Sequence, residues 1–276
     1  MALGTVQDKV VVITGAGSGI GRALALRAAS GGARIALSDW NPAGLAETAR
    51  AVEQTGARVE TAVVDVSDRG AVQTWAADVV TSFGGVDLVV NNAGVSATGD
   101  FVDLSYDDID WILGINLNGV IHGSKEFLPH LIASGNGALV NISSLFGLVS
   151  MPGQSAYNAT KYAVRGLTEA IREEMLVAGH PVTVTCVHPG GIRTGIARHG
   201  RKADNIKADE VDELFEQKLA RMSPAKAAQI ILDGALAGKA RVLVGADAHA
   251  IHHFARLTGS RYQDVVARVA RRVLPD

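Results

Sequence analysis

The stretch Lys9–Gly21, KVVVITGAGSGIG, decides the fold. Val10 to Ile13 are consecutive β-branched residues, the pattern of a strand covered on both faces. Ile20 to Ala29 follow with apolar residues at helical spacing, so Gly15, Gly19 and Gly21 fall in a strand-to-helix connection. Without side chains there, the backbone turns tightly and approaches a pyrophosphate at the helix N-terminus. The segment reads as a dinucleotide site in the context such a site requires.

Outward from this turn, strand and helix patterns alternate, with strands near residues 10, 34, 59, 86, 138, 182 and 241. Alternation of this kind predicts an α/β protein, a single-domain Rossmann fold. Its doubly wound seven-stranded parallel sheet should run in the order 3-2-1-4-5-6-7, with right-handed crossovers and helices on both faces. Residues 1–246 are expected to form the dinucleotide-binding and catalytic domain, and 247–276 a helical C-terminal extension of it. A chain of 276 residues, 47% hydrophobic, can bury such a core, and its 31 glycines suit many strand–helix turns.

The second strand, Arg34–Ser38, ends at Asp39, 20 residues beyond Gly19, where an acid reaches the adenosine ribose hydroxyls. Helix N-capping is a rival role for Asp39, and Asn41-Pro42 could fill it instead. Trp40 follows, and the glycine loop offers Ala16 and Ser18 where a 2′-phosphate calls for Arg or Lys. NAD is favoured over NADP.

A second stretch, Ser144–Lys161, reads SLFGLVSMPGQSAYNATK. Tyr157 and Lys161 stand four apart and share one face of a helix. An ammonium beside a phenol stabilises the phenolate, which would bring Tyr157 toward the range of proton exchange at neutral pH. On an arbitrary helix the pair would be an ordinary surface tyrosine and a solvated lysine; the glycine turn upstream changes that reading.

Together these motifs resemble the classical short-chain dehydrogenase/reductases, from about Lys9 to Gly245. They stand in the family's order: Thr14-Gly15-x-x-x-Gly19-Ile20-Gly21, Asp65, Asn91-Asn92-Ala93-Gly94, Asn116, Ser144, Tyr157-x-x-x-Lys161, and Pro189-Gly190 with Thr194. The resemblance implies that Tyr157 is the general acid/base. It implies that Ser144, 13 residues earlier, bonds the substrate oxygen, with Ser143 as the competing neighbour. Lys161 would lower the Tyr157 pKa and bind the nicotinamide ribose, and Asn116 would hold a water joining Lys161 to solvent; without the family, Asn116 reads as a helix interruption. Asp65 would accept from the adenine amino group with Val66 beside it, although Ser67-Asp68 makes helix capping a rival role. Asn92, Ala93 and Gly94 would let the adenine-ribose end lie on backbone. The backbone of Ile192 and the hydroxyl of Thr194 would hold the nicotinamide carboxamide.

The implied reaction is hydride transfer between NAD(H) and a secondary alcohol or ketone. An NADP-dependent carbonyl reductase and a non-catalytic nucleotide-binding regulatory protein are the alternatives. Leu145–Gln154 and the charged connection Gly195–Met222, a candidate lid, should wall the substrate. Leu145, Phe146, Val149, Met151 and Ile196, with Gln154 as the polar contact, point to a lipophilic substrate.

The C-terminus departs from the family's short Asp-Gly-Gly ending, since Gly245 is followed by Ala246-Asp247 and the chain runs on to Asp276. Tyr262, Val265, Val266, Val269 and Val273 fall on one helical stripe, with Arg261, Arg268, Arg271 and Arg272 largely off it. Packing on its own domain or a neighbouring subunit is the favoured reading; binding an anionic membrane surface through 260–273 is the rival.

A net charge of −2 with scattered signs gives no basic field for nucleic acid. Cys186 sits in the apolar run Val182–Val187 and reads as a buried strand residue, so no disulfide framework exists. The N-terminus lacks a signal-peptide pattern and no 18-residue apolar run occurs, which makes cytoplasm the expectation. His249, His252 and His253 have no ligating neighbour beyond Asp247, and no metal is expected. A homo-oligomer is expected by family analogy.

Overall fold

The structure, a computed structural model, describes residues 2–206 and 220–273, with side chains through residue 271. The chain alternates through β1 (Val10–Thr14), α1 (Gly19–Ser30), β2 (Arg34–Asp39), α2 (Pro42–Glu53), β3 (Val59–Val63), α3 (Arg69–Phe83) and β4 (Leu88–Asn91). A short strand β5 (Ala97–Thr98), α4 (Tyr106–Leu113), α5 (Gly119–Ala133), β6 (Gly137–Ile142), α6 (Ser155–Ala178) and β7 (Val182–Pro189) follow. The rest is β8 (Arg201–Lys202), α7 (Pro224–Leu236), β9 (Arg241–Val244), α8 (Ala246–Thr258) and α9 (Tyr262–Val273).

Seven strands form one parallel sheet in the order β3-β2-β1-β4-β6-β7-β9, the order expected of a doubly wound fold. The two-residue period of β1 builds both layers at once. Val11 and Ile13 pack with Leu24 and Ala28 of α1 and Ala227 and Ile231 of α7. Val10 and Val12 pack with Val72 and Trp75 of α3 and Phe127 and Leu131 of α5. The strand order reverses between β1 and β4, and the crevice beyond their carboxyl ends is where such sheets bind ligands. The fourth strand starts later than the sequence suggests, at Leu88, and just before it the Asp87 carboxylate takes the Val10 N–H (2.8 Å) and pairs with Lys9 (3.0 Å).

One feature was not expected. β5 and β8 form a two-stranded parallel ribbon, Ala97 opposite Arg201 and Thr98 opposite Lys202. It fastens the first part of the supposed lid, and Ala203 is buried. Residues 207–219 of that connection lie outside the described residues.

The apolar stripe of α9 splits in two. Tyr262 and Ala270 are buried and Val266 packs beside Tyr262, whereas Val265 and Val269 are 40% and 53% exposed. The side chains of Arg272 and Val273 fall outside the described residues. Among the described residues no helix is long and apolar enough to cross a membrane.

Candidate active site

The carboxyl ends of β1 and β4 are locked together. Thr14 Oγ1 accepts from the backbone N–H groups of Asn92 and Ala93, both at 3.0 Å, and Asn92 Nδ2 donates to the carbonyls of Thr14 (3.0 Å) and Gly15 (3.1 Å). Gly15 has a φ of +64°, and a Cβ there would lie 2.7 Å from Ala93 Cα, so only glycine fits. At Gly19 a Cβ would lie 3.1 Å from Thr194 Cγ2, which brings the loop after β7 against the glycine turn. Ser18 occupies the N-cap of α1 without a side-chain capping bond, and no acid stands in the first turn. Half-buried Ile20 and buried Gly21 complete that turn. The helix end keeps its amides and its positive dipole for an anion, as a dinucleotide pyrophosphate requires.

Asp39 closes β2 with only 9% exposure. Its Oδ2 accepts from Gly17 N–H at 2.7 Å and its Oδ1 from Asn41 N–H at 2.9 Å. Asn41 is the N-cap of α2, accepting from Ala43 and Gly44, so the capping role falls to it and Asp39 stays beside the glycine loop. Trp40 stands at the rim, 74% exposed. Asp68 likewise caps α3, while the exposed Asp65 accepts from the Ser67 N–H (2.9 Å) and hydroxyl (2.7 Å) above buried Val66.

On the other side of β4, α6 presents Tyr157 and Lys161, both buried. Lys161 Nζ lies 5.6 Å from the Tyr157 ring centroid and donates to Ile142 O at 3.1 Å. Ser144 opens the short turn Leu145–Gly147; its hydroxyl accepts from Phe146 N–H (3.1 Å) and faces the Tyr157 phenol. Ser143 turns the other way and donates to Lys161 O at 2.8 Å. Adjacent serines thus take different tasks, one facing the phenol and one bracing the helix.

Asn116 sits in a single π-helical turn, Gly114–Asn118, between α4 and α5. The turn aims its amide at Val95, accepting from N–H (2.8 Å) and donating to O (2.9 Å), with a further bond to Thr160 Oγ1 (3.3 Å). A Cβ on Gly94 would lie 3.2 Å from Asn116 Oδ1 and 3.4 Å from Lys161 Nζ. Bare backbone at Gly94 therefore leaves room beside both polar groups.

Burial raises the Tyr157 phenol above its ordinary value, with the Ser144 hydroxyl pulling it back, and burial lowers Lys161 to about 8. This corrects the expectation that the lysine alone would bring the phenol down. Both charged forms lose hydration in the same dry pocket, and for Tyr157 that loss dominates. Cys186 is buried, its thiol pushed up to about 12 chiefly by burial, as an inert strand residue would be.

The substrate residues read from the sequence divide. Phe146 meets Tyr157 edge-on, centroids 6.1 Å apart, and Ile196 packs into the same cluster. Gln154 donates to Thr98 Oγ1 at 2.8 Å. Leu145 and Val149 do not join them. They are buried against Ala248 of α8 and Tyr262 of α9, while Phe146 spans that cluster and the one around Tyr157. Met151 lines a separate groove with Tyr162 and Val266. Along α8, His253 stacks on His249 (centroids 6.5 Å) and meets His252 at a tilt (5.3 Å).

Two residues that sequence reasoning missed hold the Ser144 loop. Asn158 donates to Phe146 O (2.8 Å) and Val149 O (3.0 Å) and accepts from Met151 N–H (3.1 Å). His188 is fully buried, and burial is the main cause that lowers its pKa to about 4. It is therefore neutral, with Nδ1–H donating to Ser144 O at 2.9 Å. Adjacency to Tyr157 and to Pro189 was the only available signal for either.

Residues 9–205 match the short chain dehydrogenase family. SadH of Mycobacterium tuberculosis, a protein named as an oxidoreductase, is 51% identical over 269 residues, 98% of each chain. A short-chain dehydrogenase/reductase from Burkholderia phymatum, solved in complex with NAD, matches with a TM-score of 0.85 at 31% identity over 94% of this chain and 95% of that one. Levodione reductase gives 0.78 at 30% identity, covering 89% and 98%. With that match and the expected sheet order, the chain belongs to the short-chain dehydrogenase/reductase family of oxidoreductases.

Proposed function

We propose that the protein interconverts a lipophilic secondary alcohol and its ketone using NAD(H), with Tyr157 as general acid and base. The observation that carries this reading is the convergence of half-buried Ser144 with buried Tyr157 and Lys161 beside Asn116 and Gly94. A nicotinamide dinucleotide held by the Gly15–Gly21 turn, Asp39, Gly94 and the Pro189–Thr194 loop supplies the hydride donor or acceptor. Tyr157 gives its proton to the substrate oxygen in reduction and takes it back in oxidation. Ser144 Oγ–H donates to that same oxygen and stabilises charge developing on it. Lys161, beside the ring, offsets negative charge on Tyr157 while the proton is away. Phe146 and Ile196 make the neighbouring wall apolar, which favours a lipophilic substrate and keeps water out.

Asp39 supports NAD over NADP, since a buried carboxylate at the ribose end repels a 2′-phosphate. The B. phymatum relative was crystallised with NAD. The proposal includes a cytoplasmic setting and a homo-oligomer. Parallel fluorescence titrations with NADH and NADPH, followed by a panel of secondary alcohols and ketones, test it. Tight NADH binding with turnover of apolar substrates is the expected result. NADPH preference would reverse the Asp39 argument alone, and binding of neither would favour a non-catalytic role.

A further inference from the structure

The C-terminal helices touch both loops on which that reading depends. At the start of α8, Asp247 Oδ2 accepts from the Gly191 N–H at 2.7 Å. The carboxylate fills space that a Cβ on Gly190 or Gly245 would need. The rest of the loop after β7 is tied down by main chain: Gly190 N–H donates to Val244 O (2.9 Å) and Arg193 N–H to Met222 O (2.9 Å). Gly191 O accepts from the Arg221 (3.1 Å) and Met222 (3.2 Å) N–H groups, and Gly190 and Gly191 are consecutive glycines, the residues that lose most freedom on ordering. The Gly191 N–H is the group of this loop that a carboxylate of the extension holds.

At the start of α9, the Tyr262 hydroxyl accepts from Ser150 N–H at 3.0 Å beside Tyr162 of α6. Its ring packs with Leu145 and Val149, the two side chains that turned away from the substrate pocket. The loop from Ser144 to α6 is thus gripped from outside by α9, just as the loop after β7 is gripped by α8.

We propose that α8 and α9 are a positioning element of the active site: Asp247 sets the Pro189–Thr194 loop for the cofactor, and Tyr262 sets the Ser144–Gln154 loop for the substrate. This rests on the assignment of those loops made under the proposed function. Neither residue touches the reacting atoms, so each acts through the loop it holds. Asp247 is exposed on the first turn of α8 and underpins no core, so its removal should loosen the loop and leave the fold intact.

The test uses the full chain and the variants Asp247→Ala, Asp247→Asn and Tyr262→Phe. NADH affinity by fluorescence titration should fall about tenfold in Asp247→Ala, the loss of one charge-assisted bond to backbone. Asp247→Asn should recover most of it, because the amide oxygen still accepts from Gly191. Tyr262→Phe should bind NADH as the unaltered protein does. Hydrogen exchange should quicken around 189–194 only in Asp247→Ala, and around 148–153 only in the tyrosine variant. Unchanged NADH affinity in Asp247→Ala would overturn the cofactor half, and unchanged exchange at Ser150 in Tyr262→Phe the substrate half. Equal loosening of both loops by either variant would reduce the helices to general support and also overturn the proposal. If the unaltered protein binds neither dinucleotide, the cofactor assignment fails, and loop-specific exchange still decides whether each residue holds its loop.

Discussion

The turns after β1 and β6 leave neighbouring positions on either side of β4, yet their paths are set by different means. The first follows a path that its own glycines set, which side chains then pin, Thr48 and Arg22 donating to the carbonyls of Ala16 and Gly17. Gly15 takes a left-handed conformation, and Thr14 and Asn92 tie it to the adjacent strand end. The second is held by side chains that arrive from far along the chain: Asn158 from α6, His188 from β7 and Tyr262 from α9. A turn whose path is set by its own glycines has its shape written within a dozen residues, even where distant side chains then pin it. One held by distant braces places its functional groups only once the whole sheet is assembled.

The largest expected effect falls on the second turn's partner helix. Tyr157→Phe should leave NADH affinity within a few-fold and cut turnover by about a hundred- to ten-thousandfold, the usual worth of a placed acid or base. Steady-state rates beside fluorescence titration check both halves. Comparable turnover in the variant would remove the chemistry from α6 and leave the two turns with no division of labour.

Next in size is the contrast between adjacent serines. Ser144→Ala should lose about a hundred- to a thousandfold in turnover with an unchanged melting temperature. Ser143→Ala, whose hydroxyl holds Lys161 O inside the core, should keep its turnover and lose about 1–3 kcal/mol of stability. Kinetics and urea unfolding on the pair read out both quantities. The reverse pattern would mean that the second turn presents the other hydroxyl.

What was legible in the sequence follows the same division. The sheet order and the glycine turn could be read because strand periodicity and a left-handed glycine are local. The spacing from Tyr157 back to Ser144 singled out the serine whose hydroxyl faces Tyr157, since family spacing stands in for tertiary contact. Leu145 and Val149 were misread because composition shows that a loop is apolar and not which side of it faces a pocket. The direction of the Tyr157 shift was misread for a related reason: an i, i+4 neighbour is visible in sequence, whereas the desolvation that outweighs it depends on everything packed around the ring. His188 and Asn158 carried no periodic or compositional signal, and Asp247 looked like the first residue of a tail.

A pH experiment sharpens the role of the braces. Burial holds the folded His188 at about 4, against an ordinary histidine value near 6.5. Between those values the unfolded chain binds a proton that the folded chain refuses. Stability is therefore complete above about pH 6.5 and falls as the pH drops toward 4, by up to about 3 kcal/mol from this residue. Urea unfolding at pH 7, 5.5 and 4.5 should show that slope in the unaltered protein and a shallower one in His188→Asn. Parallel curves would mean that the imidazole is not a dry, neutral brace.

The smallest effect probes the first turn through Asp39, one of the side chains that help to hold it. Asp39 bonds Gly17 N–H at 2.7 Å as well as facing the expected ribose position, so its removal has two consequences of opposite sign for NADPH. Loss of the carboxylate relieves repulsion of a 2′-phosphate, while loss of the Gly17 bond loosens the loop for either dinucleotide. Asp39→Ala should therefore weaken NADH by about tenfold and weaken NADPH less or improve it, so that the ratio of the two affinities moves toward NADPH. Parallel titrations measure that ratio directly. An equal loss for both cofactors would make the carboxylate a brace for Gly17 and nothing more, one more of the side chains, with Asn92 and Thr48, that pin the turn after β1.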